Sequence, residues 1–321
     1  MNNGQPKVAL VTGITGQTGS YAAEILQDRG YSVVGGVRLG SGRDSVEQYG
    51  RSFPVVEMDL LDEDQLTGVV SHLRPTMIFH YAADSFEPTA WEAPVAYAEV
   101  NALAPLRLLT ALQKVSPETR FLQASSGLIF GKSEQPLQNE ETPRRPHTPY
   151  GAAKAFAHES VRIYRSRYDL FACSGIFFNH ESPRRPERFL VRKVTMGAAR
   201  ISAGLQEDLT LGSLDARKDW HYAKDAAMCA VLMLEAEKPG DYVVSSGVSH
   251  SVKDVLDVAF DEVGLEWQKF IKQDERFMRP YETPMVGDCS KAESQLGWRR
   301  TLDFEQLVRT MVRHDLELVK G

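Results

Sequence analysis

Tyr150 and Lys154, two residue types suited to proton transfer, stand four positions apart in a segment with a helical pattern. Residues at this spacing share one face of a helix. A lysine ammonium beside a tyrosine hydroxyl favours the phenolate, so the tyrosine can exchange a proton with a substrate near neutral pH. Ser126 follows a predicted strand, where its hydroxyl can hydrogen-bond the reacting oxygen. This set of three residues predicts proton transfer coupled to hydride transfer with a nicotinamide.

A glycine-rich turn with the pattern GxxGxxG joins a predicted strand at 8–12 to a predicted helix at 20–29. Glycine permits a tight turn and lets backbone N–H groups approach a pyrophosphate, while the helix N-terminus adds partial positive charge. The required strand and helix are both predicted, which makes the motif informative. We therefore expect the cofactor phosphates to be bound by Gly13, Thr15, Gly16, Gln17, Thr18 and Gly19.

The residue after the second predicted strand distinguishes NAD from NADP. An acidic residue there would bind the ribose 2′-hydroxyl of NAD. This chain has Arg38, with Arg43 close by, and a guanidinium suits the 2′-phosphate of NADP. Asp59 and Leu60 follow the third strand and are placed to meet the adenine. The sequence therefore predicts NADP, with solvated surface charges at Arg38 and Asp59 as the alternative.

The segments that must position these residues alternate between strand and helix. Predicted strands cover 8–12, 31–37, 54–58, 77–82, 120–124 and 172–177, and predicted helices cover 20–29, 62–73, 94–115 and 150–167. Such alternation predicts an α/β fold with a doubly wound parallel sheet, the Rossmann arrangement.

The texture of the sequence changes after residue 178, where segments become shorter and loops become rich in Pro, Arg and Asp. Short strands at 209–212 and 242–245 and helices at 252–263 and 304–319 predict a smaller C-terminal α/β domain. We expect an NADP-binding domain at 1–178 and a substrate domain at 179–321, partly interleaved with the first.

Composition limits the class of protein. The 321 residues are 42% hydrophobic and 25% charged, with a net charge of −6, which disfavours nucleic acid and anionic membranes as partners. Cys173, Cys229 and Cys289 lie far apart without metal-ligand spacing, so reduced core thiols and no metal site are expected. With no signal peptide and no long apolar run, the sequence predicts a cytoplasmic protein.

Four further motifs lie in the C-terminal half: Phe178-Asn-His-Glu-Ser-Pro-Arg-Arg185, Leu211-Gly-Ser-Leu-Asp-Ala-Arg-Lys-Asp-Trp220, Tyr242-Val-Val-Ser-Ser-Gly-Val248 and Arg279-Pro-Tyr-Glu282. With GxxGxxG and YxxxK, they make the chain resemble the GDP-mannose 4,6-dehydratases, which are extended short-chain dehydrogenases/reductases. The likeness covers residues 8 to about 319. The eight-residue motif beginning at Phe178 is its most specific part.

The resemblance implies a GDP-sugar substrate, NADP as cofactor, and oxidation at C4, loss of water across C5 and C6, and return of hydride to C6. It makes Tyr150 the base for C4 oxidation and Lys154 its partner. The residues expected to bind substrate are Ser85, Glu87, Asn179, Arg185, Lys193, Lys218, Arg279 and Glu282. Lysine at 218, where the family has arginine, puts a bidentate phosphate contact in doubt.

The main departure from the family pattern is Leu128, which replaces the glutamate that acts as acid/base in the elimination. Leucine cannot move a proton, and loss of a positioned acid/base costs about 10²–10⁴-fold in rate. Either Asp84 or Glu87 replaces it, or only hydride exchange at C4 remains. The segment 125–127, Ser-Ser-Gly, also resembles 4-keto-6-deoxymannose reductases. We expect a C4 oxidoreductase or 4-keto-6-deoxy-sugar reductase.

A third hypothesis is a non-catalytic NADP-binding partner protein. A pure binder has no need of the Ser126, Tyr150 and Lys154 set, so the sequence argues against it. The segment 39–50 is short and glycine-rich where the dehydratases have a longer tetramer-forming segment. We therefore expect a homodimer, formed when helices 94–115 and 150–167 pair with a second copy, as in relatives.

Overall fold

The computed structural model describes residues 7–40, 45–277 and 285–320. The strands of this part are β1 (Val8–Thr12), β2 (Ser32–Val37), β3 (Ser45–Gln48), β4 (Arg51–Glu57), β5 (Met77–His80), β6 (Arg120–Ser126), β7 (Ala172–Phe177), β8 (Asn179–Glu181), β9 (Leu209–Leu211), β10 (Arg217–Tyr222), β11 (Asp241–Val244), β12 (Ser249–Ser251) and β13 (Ile271–Gln273). The α-helices are α1 (Gln17–Asp28), α2 (Glu63–Leu73), α3 (Glu87–Glu92), α4 (Pro94–Ala98), α5 (Ala104–Val115), α6 (Pro149–Tyr168), α7 (Leu190–Ser202), α8 (Ala223–Glu235), α9 (Val252–Asp261), α10 (Ser290–Gln295) and α11 (Phe304–Lys320).

The large sheet has eight strands in the order β11-β7-β6-β5-β1-β2-β4-β3. Its pairs are parallel except for the antiparallel hairpin of β3 and β4. The chain adds strands on one side of β1 and then on the other, so the order reverses between β1 and β5. This doubly wound parallel sheet confirms the predicted fold class.

Helices cover both faces of the sheet because alternate strand residues point to opposite faces. In β1, Ala9 and Val11 belong to the apolar core under α1 and α8, whereas Leu10 belongs to the core under α2 and α5. All three side chains are fully buried. A parallel sheet must be buried on both faces, which accounts for the uninterrupted apolar sequence of this strand.

The C-terminal half builds a second, smaller α/β body. Helices α7, α9 and α11 pack around buried residues such as Val194, Leu256 and Met311, beside the small sheets β12-β10-β8 and β13-β9. The chain also returns to the first body, because β11 extends the large sheet and α8 packs against α1. The domain boundary at residue 178 stays a prediction.

The predicted helix at 94–115 is present as α4, a π-helical turn at Glu99–Leu103, and α5. Pro105 accounts for the wide turn, since proline has no N–H for the usual bond and its ring crowds the preceding carbonyl. The three cysteines are buried free thiols, as the sequence predicted. Within the described ranges, no helix combines the length and apolar character that crossing a bilayer requires.

Candidate active site

A cleft of about 1090 Å³ opens beyond the carboxyl ends of the strands, where the sheet order reverses between β1 and β5. Loops after β1, β2, β4 and β5, the end of β6 and the segment after β7 line it. Ligands of doubly wound sheets bind at this position. The cleft is lined by every residue predicted to bind cofactor or to act in catalysis, namely Gly13, Thr15, Gly16, Gln17, Thr18, Gly19, Arg38, Asp59, Leu60, Ser126, Tyr150 and Lys154.

The glycine-rich turn cannot carry side chains at its first and last glycines. Gly13 has a φ of +71°, and a Cβ there would lie 2.8 Å from the backbone nitrogen of Ala82. A Cβ on Gly19 would lie 2.3 Å from the carbonyl oxygen of Gly13. These close approaches bring the N-terminus of α1 against the end of β1, where its backbone amides can bind phosphate oxygens.

The glycine-rich turn is also fixed to β8. The Nδ1 of His180 bonds the carbonyl oxygen of Phe178 at 2.9 Å, so Nε2 accepts from the Thr18 hydroxyl at 2.8 Å. The Gln17 amide donates to the carbonyl of His180 at 2.9 Å and accepts from the Ser182 hydroxyl at 2.7 Å. Burial, helped by Arg185, lowers the pKa of His180 to about 4, so the imidazole is neutral. No local pattern in the sequence predicts this contact.

The loops after β2 and β4, which carry the residues predicted to meet the adenosine of the cofactor, form part of the cleft wall. Arg38 is exposed there and borders the cleft. Asp59 accepts a hydrogen bond from the amide of Leu61 at 2.9 Å, so its carboxylate shapes its own loop. Leu60 lies beside it on the cleft wall. The geometry is compatible with a 2′-phosphate near Arg38 and an adenine near Leu60.

The predicted catalytic residues also line the cleft, and Thr148 caps the N-terminus of α6, the helix that carries two of them. Lys154 is buried and donates to the carbonyl oxygen of Ala124 at 2.9 Å. Burial lowers the pKa of its ammonium to about 8. Its Nζ lies 5.8 Å from the ring centroid of Tyr150. The Ser126 hydroxyl oxygen accepts from the amide of Leu128 at 3.2 Å, which leaves its proton for a ligand.

Comparison with known proteins places the chain in a family. The family model described as GDP-mannose 4,6 dehydratase matches residues 10–311. The chain belongs to the GDP-mannose 4,6 dehydratase family. GDP-mannose 4,6 dehydratase 1 of Arabidopsis thaliana is 42% identical over 329 residues, which cover 98% of this chain and 91% of the relative. The Homo sapiens enzyme is 36% identical over 349 residues, covering 99% and 94%.

Solved structures agree with this assignment. UDP-glucose 4-epimerase from Thermus thermophilus, in complex with NAD, superposes with a TM-score of 0.82 at 28% identity. The match covers 96% of this chain and 98% of that one. The predicted resemblance to an extended short-chain dehydrogenase/reductase is confirmed. The protein is therefore a sugar-nucleotide enzyme similar to the GDP-mannose 4,6 dehydratases.

Leu128, at the position where the family resemblance implies a glutamate, lies on the cleft wall between two apolar clusters. It packs against the cluster of Ala90, Tyr97 and Tyr150 and also against the cluster that includes Phe178 and Met285. Within the described residues, the two apolar clusters around Leu128 contribute no carboxylate to the cleft. Proton transfer to a substrate carbon would have to come from elsewhere in the cleft.

Asp84 brings a carboxylate into the cleft from the loop after β5. Its Oδ1 accepts a hydrogen bond from the hydroxyl of Tyr97 at 2.8 Å, and its backbone carbonyl accepts from the Asn101 amide at 3.1 Å. The Tyr97 ring packs edge to face on Tyr150, with 6.4 Å between centroids. The sequence predicts a role for Asp84 but not for Tyr97, because no local pattern links residues thirteen positions apart in a loop and a helix.

Three of the predicted substrate residues line the cleft: Ser85, Asn179 and Arg185. The Arg185 guanidinium lies 3.5 Å from the ring centroid of Phe189 and its Nε lies 3.4 Å from Glu181. Burial raises the pKa of Glu181 to about 6.

Two of the described substrate candidates, Lys193 and Lys218, do not line the cleft. Lys193 donates to the carbonyl of Thr210 at 2.7 Å, and Lys218 lies on β10. The side chain of Glu87 lies outside the described residues, as do Arg279 and Glu282, the other predicted substrate residues, and Arg43, predicted near the cofactor. The binding roles of all these residues stay predictions.

Proposed function

We propose that this protein transfers hydride between NADP(H) and C4 of a GDP-activated sugar, as a C4 oxidoreductase or 4-keto-6-deoxy-sugar reductase without efficient dehydration. The observation that carries the proposal is the pairing of an intact Ser126, Tyr150 and Lys154 set with an apolar wall at Leu128. The set of three polar residues can support hydride exchange at a carbon that bears an oxygen. The apolar wall places a leucine where the family resemblance implies the acid/base for elimination.

The bound nicotinamide would supply or accept the hydride. In the reducing direction, the Tyr150 hydroxyl gives its proton to the C4 oxygen as that oxygen becomes an alcohol, while Ser126 donates a hydrogen bond to the same atom. The Lys154 ammonium stabilises the tyrosinate that remains. In the oxidising direction, tyrosinate takes the alcohol proton.

Arg38 supports NADP over NAD, because a planar guanidinium can bind a phosphate through two hydrogen bonds. Asn179 and Arg185 support a substrate with a diphosphate, since amide and guanidinium groups donate to phosphate oxygens. GDP as the nucleotide follows from the family, whose relatives in Arabidopsis thaliana and Homo sapiens are named for GDP-mannose.

The proposed assembly is a homodimer in the cytoplasm. Large apolar side chains are exposed on adjacent helices: Trp91 on α3, Val95 on α4, and Phe156 and Ile163 on α6. Pairing of this surface with a second copy would bury them, as in a four-helix interface. Light scattering coupled to size-exclusion chromatography tests the dimer, and a monomer at micromolar concentration would contradict it.

The second candidate is a true 4,6-dehydratase in which Asp84 replaces the missing glutamate. The observation that favours it is the Asp84 carboxylate on the cleft wall. Such an enzyme oxidises C4, eliminates water and returns the hydride within one turnover, so its cofactor is not consumed.

Two incubations distinguish the candidates. The protein is given GDP-mannose, or GDP-4-keto-6-deoxymannose with NADPH, while NADPH absorbance and product mass are followed. Steady loss of NADPH with the keto sugar, and no loss of water from GDP-mannose, is expected. A product one water lighter than GDP-mannose, formed at ordinary enzyme rates with no net cofactor change, would establish the dehydratase instead.

A further inference from the structure

We propose that Asp84, oriented by Tyr97, is a carbon acid/base that exchanges the hydrogen next to the keto carbon of the sugar with solvent. This proton-exchange activity is separate from hydride transfer. It rests on the proposed function only in taking a 4-keto sugar nucleotide as its ligand.

The carboxylate of Asp84 is held in one orientation. Its Oδ1 accepts from the Tyr97 hydroxyl at 2.8 Å and from the amide of Phe86 at 3.3 Å. The part of the chain that the structure describes gives no hydrogen bond to Oδ2, and the side chain lines the cleft. One oxygen is therefore fixed by the protein and the other is available to a ligand.

The Tyr97 hydroxyl has two acceptors within reach. Its oxygen lies 2.8 Å from Oδ1 of Asp84 and 2.6 Å from the carbonyl oxygen of Phe86. The Thr89 hydroxyl lies 2.8 Å from the same carbonyl oxygen and 3.1 Å from the Tyr97 oxygen. A hydrogen bond to a charged carboxylate is roughly twice as strong as one to a neutral carbonyl, so the single Tyr97 proton favours Asp84. Tyr97 is almost fully buried, so water does not compete for it.

Asp84 lies near the reacting end of the cleft. Tyr97 touches Asp84 through its hydroxyl and packs its ring edge to face on Tyr150. One aromatic side chain thus separates the carboxylate from the residue that handles the C4 oxygen, and Ser126 lines the same end. The wall at Leu128 contributes no group that can accept a proton, so Asp84 is the carboxylate placed for this chemistry.

The proposed step is balanced without any redox change. Hydrogens on the carbons flanking a ketone are acidic, because the anion left behind is delocalised onto the keto oxygen. The Asp84 carboxylate takes one such proton and becomes a carboxylic acid, while the sugar becomes an enolate whose oxygen accepts hydrogen bonds from Ser126 and Tyr150. The acid exchanges its proton with water and returns it to the same carbon.

Isotope exchange tests the proposal. The protein, saturated with oxidised NADP, is incubated with GDP-4-keto-6-deoxymannose in D₂O, and the sugar mass is followed. We expect a gain of deuterium faster than in protein-free solution. The variant Asp84→Asn should lower the exchange rate by about 10²-fold or more.

Two more variants separate positioning from folding. Tyr97→Phe keeps the ring that packs on Tyr150 and should lower exchange about tenfold, because it removes one charge-assisted hydrogen bond to Asp84. Glu92→Gln, which changes an exposed carboxylate on the adjoining α3, should leave exchange unchanged. Asp84→Glu should retain part of the exchange, which a purely structural role would not produce.

The outcomes distinguish this inference from the proposed function. Normal reduction with no deuterium gain in the parent protein overturns the role of Asp84 and leaves the proposed function standing. Exchange that persists undiminished in Asp84→Asn also overturns it. Neither reduction nor exchange by folded protein overturns both for this sugar.

Discussion

Replacement of Leu128 by glutamate should create dehydratase activity, because it places a carboxylate in the cleft wall beside Tyr150. A positioned general acid/base contributes about 10²–10⁴-fold to a rate, which corresponds to about 3–5 kcal/mol of transition-state stabilisation. Leu128→Glu should therefore raise the conversion of GDP-mannose to the 4-keto-6-deoxy product by that factor.

The same substitution should lower the stability of the protein moderately, because Leu128 is only partly buried. Leu128 is partly buried between the Tyr97 and Tyr150 pair and the cluster around Phe178. Full burial of a leucine contributes about 1.5–3 kcal/mol, so loss of these partial contacts should lower the free energy of unfolding by about 1–2 kcal/mol. Urea denaturation would show this change while the protein remains folded at ambient temperature.

The assay follows the mass of the sugar nucleotide, with Leu128→Gln as the control. Glutamine has the size and polarity of glutamate but cannot transfer a proton. Activity in Leu128→Glu and none in Leu128→Gln is the expected result. If both variants are folded, reduce the keto sugar and leave GDP-mannose intact, the missing carboxylate is not what prevents elimination, and the reasoning fails.

Three further predictions concern the cofactor and the proton. Arg38→Ala should raise the Kd for NADPH about tenfold to a hundredfold, because a charge-assisted hydrogen bond of about 1.5–3 kcal/mol is lost. The Kd for NADH should stay unchanged. Equal effects on both cofactors in a fluorescence titration would contradict the assignment of Arg38 to the 2′-phosphate. Gly19→Ala should abolish detectable NADPH binding in the same titration, because the alanine Cβ would lie 2.3 Å from the carbonyl oxygen of Gly13. Binding of NADPH by this variant with wild-type affinity would show that the turn can open. Burial lowers the pKa of Lys154 to about 8, so its ammonium is lost above that pH. The value of kcat/KM for ketone reduction should therefore fall above pH 8. A pH profile that stays level to pH 10 would be inconsistent with a role for the Lys154 ammonium in the reaction.

Secondary structure was predictable where one periodic pattern dominates. Strands β1 and β7 have the bounds that the sequence predicts, as the continuous apolar residues of a buried parallel strand allow. Helix α1 begins at Gln17, three residues before the predicted start, because Gly19 is a poor helix former and the pattern conceals the first turn.

Among the described helices, α3, α7, α8 and α10 received no assignment from the sequence, and α7 and α8 are the longest of these. Helix α8 is buried along most of its surface against α1 and the sheet, so its apolar residues recur without the spacing that marks an amphipathic helix. Helix α7 lies in the second body, where short elements and loops alternate. The return of β11 to the large sheet was also beyond local pattern, since strand pairing depends on contacts distant in sequence.

The sequence by itself determined the chemical groups of this protein: the glycines of the phosphate turn, the Ser126, Tyr150 and Lys154 set, and the absence of a carboxylate at Leu128. Motif spacing suffices for the glycines and for the Tyr150 and Lys154 pair, because each lies within a single turn or helix. Only the tertiary structure decided which groups become neighbours. The bond from Tyr97 to Asp84 and the attachment of the phosphate turn to β8 join residues from different elements, and packing of those elements fixes such contacts.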